Sequence, residues 1–120
     1  MKLLIVDDSL VIRNKITRGL AKHFSKIMRV ENGSLALKAL KQETPDVITM
    51  DLTMPEMDGV ECIKNIMKIN PKVHILVISA LADKGTAITA LKLGANGFLC
   101  KPFDEKALCE AIAKILKIQL

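Results

Sequence analysis

The sequence has no tryptophan or tyrosine and only three phenylalanines among 120 residues. Recognition of single-stranded nucleic acid by base stacking needs aromatic side chains, so this function is not expected. The formal net charge is a modest +5. Such a charge is typical of a solvated surface, with long-range attraction to an acidic protein partner as the alternative. The basic residues fall on predicted helix faces and include Arg13, Lys15, Arg18, Lys22, Lys64, Lys68, Lys114 and Lys117.

A membrane span and a disulfide pattern are also missing. No apolar run approaches the length that crosses a bilayer, and acidic residues follow Met1 too soon for a signal peptide. The three cysteines, Cys62, Cys100 and Cys109, lack metal-ligand spacing and are odd in number, so we expect buried, reduced thiols. The sequence therefore predicts a cytoplasmic protein without membrane insertion.

Strand and helix patterns alternate five times along the chain. Half of the residues are hydrophobic, which suffices for an ordinary core in a single domain of residues 1–120. This alternation predicts an α/β fold, a doubly wound five-stranded parallel sheet with five helices on its two faces. The predicted strands are Leu3 to Val6, Lys26 to Val30, Val47 to Met50, His74 to Ile78 and Gly97 to Cys100.

Helix starts are predicted from capping residues. Ser9, Asn32 and Asp104 can cap the first, second and fifth helices, and Asp58 followed by Glu61 resembles a capping box for the third. The apolar positions that define the helices are Ile12, Ile16, Leu20 and Phe24, then Leu37 and Leu40, then Val60, Ile63, Ile66 and Met67, then Ala87, Ile88 and Leu91, and finally Leu108, Ile112 and Ile115.

Polar residues stand where four of the predicted strands end. Asp7 and Asp8 follow the first strand, Asp51 the third, Ser79 the fourth and Lys101 the fifth. Ligands of open parallel sheets bind beyond the carboxyl ends of the strands. If the strand order is 2-1-3-4-5, the first and third strands are neighbours and their three carboxylates converge.

Three converging carboxylates indicate a particular chemistry. They resist ionising together unless a positive charge lies nearby. A hard divalent cation supplies that charge. Mg²⁺ takes one or two carboxylates together with phosphate oxygens and water, so the cluster predicts a Mg²⁺ and phosphoryl site centred on Asp51. Lys101 and Ser79 would supply a charge and a hydrogen bond to the phosphoryl oxygens.

Four motifs occur in order along residues 1–120: IVDDS from Ile5, MDLTMPEMDG from Met50, VISA from Val77 and GANGFLCKPF from Gly94. Together they resemble the response-regulator receiver domain of two-component phosphorelays, and more narrowly its stand-alone, CheY-like kind. The resemblance implies a flavodoxin-like fold and a single receiver domain with no output domain.

The resemblance also implies a role for each acid. Asp51 would accept a phosphoryl group from a phosphohistidine on a sensor histidine kinase, or from a small phosphodonor. The side chains of Asp8 and Asp51 and the backbone carbonyl of Thr53 would hold Mg²⁺. Asp7 would complete the acid pocket through water.

A conformational switch is implied as well. Lys101 would pair with the phosphoryl group, and its bond to Pro102 is expected to be cis. Ser79 would move toward the phosphoryl group and Phe98 would follow inward, which would remodel the surface of the fourth helix, fifth strand and fifth helix where partners bind. Phe98 stands where chemotaxis members often have tyrosine, so a hydroxyl contact to a partner is lost there.

The implied partners are the kinase and a downstream protein, a flagellar motor switch or another chemotaxis component. A phosphorelay intermediate or developmental regulator is the alternative. Thr53 and Leu81 would tune the lifetime of the phosphorylated state. A monomer is expected, and dimer formation on activation stays open.

A phosphohydrolase and a cofactor-binding protein are two alternative functions for the same residues. A phosphohydrolase with an aspartyl nucleophile would need a second acid two residues beyond Asp51, where Thr53 stands. A flavodoxin-like cofactor site is supported by fold alone, because the first loop lacks the donors that FMN phosphate needs. Each residue also has an explanation without a functional role. Asp7 or Asp8 alone can cap the first helix, and Lys101 alone can be a solvated surface residue.

Overall fold

The structure is a computed structural model that describes residues 1–52, 54, 59–80 and 84–120. In these residues, five parallel strands form one sheet in the order β2-β1-β3-β4-β5, which confirms the order 2-1-3-4-5. The strands are β1 (Lys2–Val6), β2 (Lys26–Val30), β3 (Val47–Met50), β4 (His74–Ala80) and β5 (Gly97–Lys101). The helices are α1 (Leu10–Leu20), α2 (Gly33–Gln42), α3 (Gly59–Ile69), α4 (Lys84–Leu93) and α5 (Glu105–Leu116).

Helices cover both faces of the sheet and create two apolar cores. Successive strand residues point to opposite faces, so neighbouring residues of β1 enter different cores. Leu3 packs in the core that contains Ile16 of α1 and Leu108 of α5. Leu4 packs in the core shared with α2, α3 and α4. Fully buried, mostly apolar strands such as β3 are typical of a parallel sheet with helices on both faces.

Three predicted caps are present. The Ser9 hydroxyl accepts from the Ile12 amide at 3.3 Å, and the Asn32 side chain accepts from the Leu35 amide at 2.8 Å. Asp104 caps α5 by accepting from the Ala107 amide at 2.7 Å. The capping box predicted for α3 includes Asp58, which lies outside the described residues. The three caps fix helix starts directly after strands, at the edge where Asp7, Asp8 and Lys101 lie.

Two helices differ from the predicted apolar faces. α1 ends at Leu20 and is followed by a short 3₁₀ helix, so Phe24 is buried but lies beyond the helix. In α4 the buried residues are Ala87 and Ala90, whereas Ile88 is 50% exposed and Leu91 41% exposed. Successive helix residues are rotated by about 100°. With Ala87 and Ala90 facing the sheet, Ile88 therefore points toward solvent.

The cysteines and the strand ends agree in part with expectation. All three cysteines are free thiols, as predicted, but only Cys62 is buried, and Cys100 and Cys109 are half-buried. β4 runs on past Ile78 to Ala80.

Among the helices of the described ranges, none combines the length and apolar character of a membrane span.

Candidate functional site

The three predicted acids meet at the carboxyl edge of the sheet. Val6 pairs with Met50 across β1 and β3, so the residues that follow these strands are neighbours, and the Asp51 amide donates to the Val6 carbonyl at 2.9 Å. One carboxylate oxygen from each of Asp7, Asp8 and Asp51 lies within 4.8 Å of the others. Asp7 and Asp51 are buried and Asp8 is exposed, so the cluster opens to solvent on one side.

Several hydrogen bonds hold Asp7 in place. Its amide donates to the Val30 carbonyl at 3.2 Å, and its Oδ1 accepts from the Ser9 amide at 2.9 Å. Its own carbonyl accepts from Arg13 Nη1 at 2.6 Å. The loop from β1 to α1 is therefore fixed at the backbone and at one carboxylate oxygen, which leaves Asp7 Oδ2 directed to the cluster.

Lys101, at the end of the edge strand β5, places a cation beside the acids. Its Nζ lies 3.0 Å from Asp7 Oδ2 and 3.6 Å from Asp51 Oδ1, and its side chain is 23% exposed. β5 is separated from β3 by β4, so the flexible four-carbon stem of lysine spans the end of β4. The following Lys101-Pro102 bond is cis, as expected.

The oxygen ligands of this cluster fit a magnesium ion. Mg²⁺ prefers oxygen ligands at about 2.1 Å and keeps several waters, and a span of up to 4.8 Å between carboxylate oxygens is one that a hydrated ion bridges. Asp7 Oδ2 is buried and forms an ion pair with the Lys101 ammonium at 3.0 Å. A carboxylate oxygen has more than one acceptor site, so Asp7 Oδ2 can also contact a bound water or a cation beside Lys101.

Ser79 lies on β4, the strand next to β3, and Phe98 lies on β5, the next strand beyond it. Val77 pairs with Met50 of β3, and Ser79 stands two residues farther along β4, where it pairs with Cys100 and is buried. Phe98 pairs with Val77 and packs against the core shared with α3 and α4. Side chains two residues apart on a strand share a face, so both predicted switch residues face that core.

Gly59 allows α3 to begin directly against the backbone of Asp51 and Leu52. A Cβ atom at Gly59 would lie 2.4 Å from the Asp51 carbonyl oxygen and 2.5 Å from Leu52 Cα, distances that no side chain tolerates. The Gly59 amide donates to the Leu52 carbonyl at 2.9 Å. The backbone after Asp51 is thereby attached to the first turn of α3.

Two cations of α1 contact the site loops, although the sequence predicts a solvated surface for them. Arg13 reaches the Asp7 carbonyl. Lys15 Nζ donates to the Phe103 carbonyl and lies 4.5 Å from the centre of the Phe103 ring. The prediction is wrong for these two half-buried residues and holds for Arg18, which is exposed. A signal was present, because helix side chains tilt toward the helix N-terminus and so toward these loops.

Two predicted site residues, Thr53 and Leu81, lie outside the described residues. Met54, which follows Thr53 in the chain, is half-buried and packs against the core shared with α2, α3 and α4. The structure thus brings together Asp7, Asp8, Asp51 and Lys101, and it orients Ser79 and Phe98 on adjoining strands.

Comparisons with known proteins agree with this arrangement. A protein-family model described as the response regulator receiver domain matches residues 3–113. The chain is 40% identical over 116 residues to the chemotaxis protein CheY of Bacillus subtilis, covering 96% of this chain and 97% of that protein. It is 39% identical over 117 residues to CheY of Thermotoga maritima, covering 97% and 98%.

Solved structures share the fold. The receiver domain of NtrX from Brucella abortus superposes with a TM-score of 0.90 at 26% identity, covering 96% of this chain and 98% of that one. The chemotaxis response regulator CheY4 of Vibrio cholerae gives a TM-score of 0.87 at 28% identity, covering 95% and 97%. Both comparisons extend over nearly the whole of each chain.

Proposed function

This chain belongs to the response regulator receiver domain family, and from that membership we propose that it is a switch phosphorylated on Asp51 in a Mg²⁺-dependent reaction. The observation that carries the proposal is the convergence of Asp7, Asp8 and Asp51, with the Lys101 ammonium beside Asp7 and Asp51. A buried carboxylate flanked by a cation and by further acids is suited to accept a phosphoryl group.

The proposed reaction is a transfer to a carboxylate oxygen. An oxygen of Asp51 would form a bond to phosphorus while the bond from phosphorus to the imidazole nitrogen of a phosphohistidine breaks, and the imidazole leaves with the electron pair. Lys101, already 3.6 Å from Asp51 Oδ1, would neutralise charge on the phosphoryl oxygens.

Asp8 and Asp51, with Asp7 and the Thr53 carbonyl, would hold the metal ion. When bound, Mg²⁺ supplies charge neutralisation between the carboxylates and the incoming phosphoryl oxygens. The chain's own contribution is to fix these oxygens in advance. The hydrogen bonds to Asp7 from the Ser9 amide and Arg13 support this part of the proposal.

The output we propose is a change of the surface formed by α4, β5 and α5. Ser79 would respond to the phosphoryl group, and Phe98 would transmit the response. A groove of ≈ 240 Å³ beside Phe98 is lined also by Leu91 of α4 and by Lys114 and Ile115 of α5. Repacking Phe98 would therefore alter a surface cavity that a partner can reach.

A histidine kinase as phosphodonor and a chemotaxis component as target are the partners we propose. The similarity to CheY proteins over 97% or more of their length supports a function carried by the receiver domain alone. A phosphorelay intermediate remains the alternative. Pull-downs with phosphorylated and unphosphorylated protein would decide, since capture of a DNA-regulatory complex in place of motor or chemotaxis proteins would contradict the target.

The experiment that tests the reaction is incubation with acetyl phosphate, with and without Mg²⁺. We expect a covalent phosphoryl group that requires the metal ion and never exceeds one per chain. Rapid multiple turnover of a phosphomonoester would instead indicate a phosphohydrolase and would contradict the proposed switch.

A further inference from the structure

We propose that Arg13 and Lys15 are positioning residues. Arg13 holds the loop after β1, which carries Asp7 and Asp8, and Lys15 holds the loop after β5, which directly follows the lysine of the site. The inference rests on the function proposed for Asp51 and deepens it. α1 would then have a role besides packing, because its first turns would fix the distance between the loop after β1 and the loop after β5.

Arg13 acts on the acidic side. Its Nη1 lies 2.6 Å from the carbonyl oxygen of Asp7, the residue that also holds the Ser9 amide through Oδ1. The guanidinium is a planar group with fixed donors. It therefore restrains the peptide that joins Asp7 to Asp8, and with it the direction of both carboxylates.

Lys15 acts on the opposite side. It donates to the carbonyl of Phe103, and its ammonium stands over the ring of the same residue, 4.5 Å from its centre. Phe103 is buried and lies two residues after Lys101. Two contacts to one buried residue fix the end of β5, from which the Lys101 side chain extends to the acids.

The spacing of the two cations explains why they reach different loops. Residues two apart on a helix point about 200° apart around its axis. Arg13 and Lys15 therefore extend to opposite sides of α1, one to the loop after β1 and the other to the loop after β5. Arg18 of the same helix is exposed and makes neither contact.

An electrostatic role and a positioning role predict opposite results at Arg13. If Arg13 acted only as a positive charge beside three carboxylates, its removal would strengthen Mg²⁺ binding, because one competing cation would be gone. If Arg13 positions the loop, removal weakens Mg²⁺ binding, since residues that orient metal ligands are typically worth about tenfold or more in affinity. The direction of the change separates the two roles.

The first arm of the experiment titrates the full chain with Mg²⁺ and follows backbone amide NMR signals. We expect Arg13→Gln to weaken Mg²⁺ binding about tenfold and to speed hydrogen exchange of the Ser9 amide. Arg13→Lys keeps the charge and should also weaken binding, while the matched control Arg18→Gln should leave it unchanged. Binding by Arg13→Gln as tight as that of wild type, or tighter, would overturn the positioning role.

The second arm measures labelling by acetyl phosphate at saturating Mg²⁺. We expect Lys15→Gln to bind Mg²⁺ normally but to label about tenfold more slowly, and Lys15→Arg to restore the rate by donating to the same carbonyl. An unchanged rate in Lys15→Gln would overturn this half of the inference. If wild type binds Mg²⁺ but is never labelled, the proposed function fails, and the Arg13 titration still decides the positioning role.

Discussion

The Lys101 ammonium lies closer to Asp7 than to Asp51, at 3.0 Å from Asp7 Oδ2 and 3.6 Å from Asp51 Oδ1. The lysine is thus paired mainly with an acid that is not the proposed acceptor. This arrangement places a cation within reach of the phosphoryl group that Asp51 would receive. It also makes Lys101 a competitor of any metal ion at the three carboxylates.

Removing that competitor should strengthen metal binding. In Lys101→Met, the acids lose a cation that stands within 4 Å of two of them, and an opposite charge at such a distance shifts ion binding by about tenfold or more. We therefore expect Mg²⁺ affinity to rise about tenfold by calorimetric titration. Lys114→Met, which changes the net charge equally on α5, should leave it unaltered. A weaker affinity in Lys101→Met would contradict the competition.

Gly59 should be needed for the stability of the fold next to Asp51. Gly59→Ala places a Cβ 2.4 Å from the Asp51 carbonyl oxygen, and such overpacking costs about 1–3 kcal/mol. Gly85→Ala is the matched control, because nothing lies within 4 Å of its Cβ and alanine favours a helix by up to about 1 kcal/mol. Urea unfolding should show a loss for the first variant and no loss for the second. Equal stabilities would show that the first turn of α3 can shift away from Asp51 without cost.

The exposed apolar side chains of α4 should affect the partner and not the phosphorylation. Ile88 is 50% exposed and belongs to the surface that we propose for docking, whereas Ile69 of α3 is 43% exposed on another helix. We expect Ile88→Ser to lower capture of the target by phosphorylated protein at least about tenfold, since an apolar anchor is worth about 2 kcal/mol. Ile69→Ser should have little effect. The docking surface would be misplaced if Ile69→Ser caused the larger loss.

Cys109 should make stability fall at alkaline pH. Burial, with the nearby Glu105 carboxylate, raises the pKa of the Cys109 thiol. The unfolded chain, with its ordinary pKa of about 8.5, then loses the proton first as pH rises, so the free energy of unfolding decreases above that pH and is unaffected below it. Urea unfolding at pH 7 and pH 9.5 should show a smaller decrease in Cys109→Ala than in wild type. An identical decrease in the two proteins would show that Cys109 does not cause the loss of stability at alkaline pH.

The sequence predicted the features that follow from chain order and register. Once the alternating strands are placed in the order 2-1-3-4-5, Asp7 and Asp51 must end neighbouring strands, and the pairing of Val6 with Met50 brings them together. This convergence depends on local pattern and topology, which a single sequence contains. The cis bond before Pro102 was implied by the resemblance to receiver domains.

Features that depend on side-chain paths were not predicted, because the direction of a helix side chain does not by itself identify the group that it contacts. Arg13 and Lys15 have the composition of a solvated helix face, and their contacts to Asp7 and Phe103 exist only because both loops fold against α1. In α4 the sequence pattern includes Ile88 among the apolar positions. In the structure the small side chains of Ala87 and Ala90 face the sheet, and Ile88 is exposed. Tertiary packing overrides the apolar pattern in both cases.

The position of the phosphoryl group after reaction with acetyl phosphate and Mg²⁺ decides whether Asp51 is the acceptor. Chemical trapping followed by mass spectrometry of peptides should find the group on Asp51 in wild type and in Asp46→Asn, which removes an exposed carboxylate elsewhere in the chain. Asp51→Asn should show no label. Unchanged labelling of Asp51→Asn, or a label on another residue of wild type, would refute the proposed phosphorylation of Asp51.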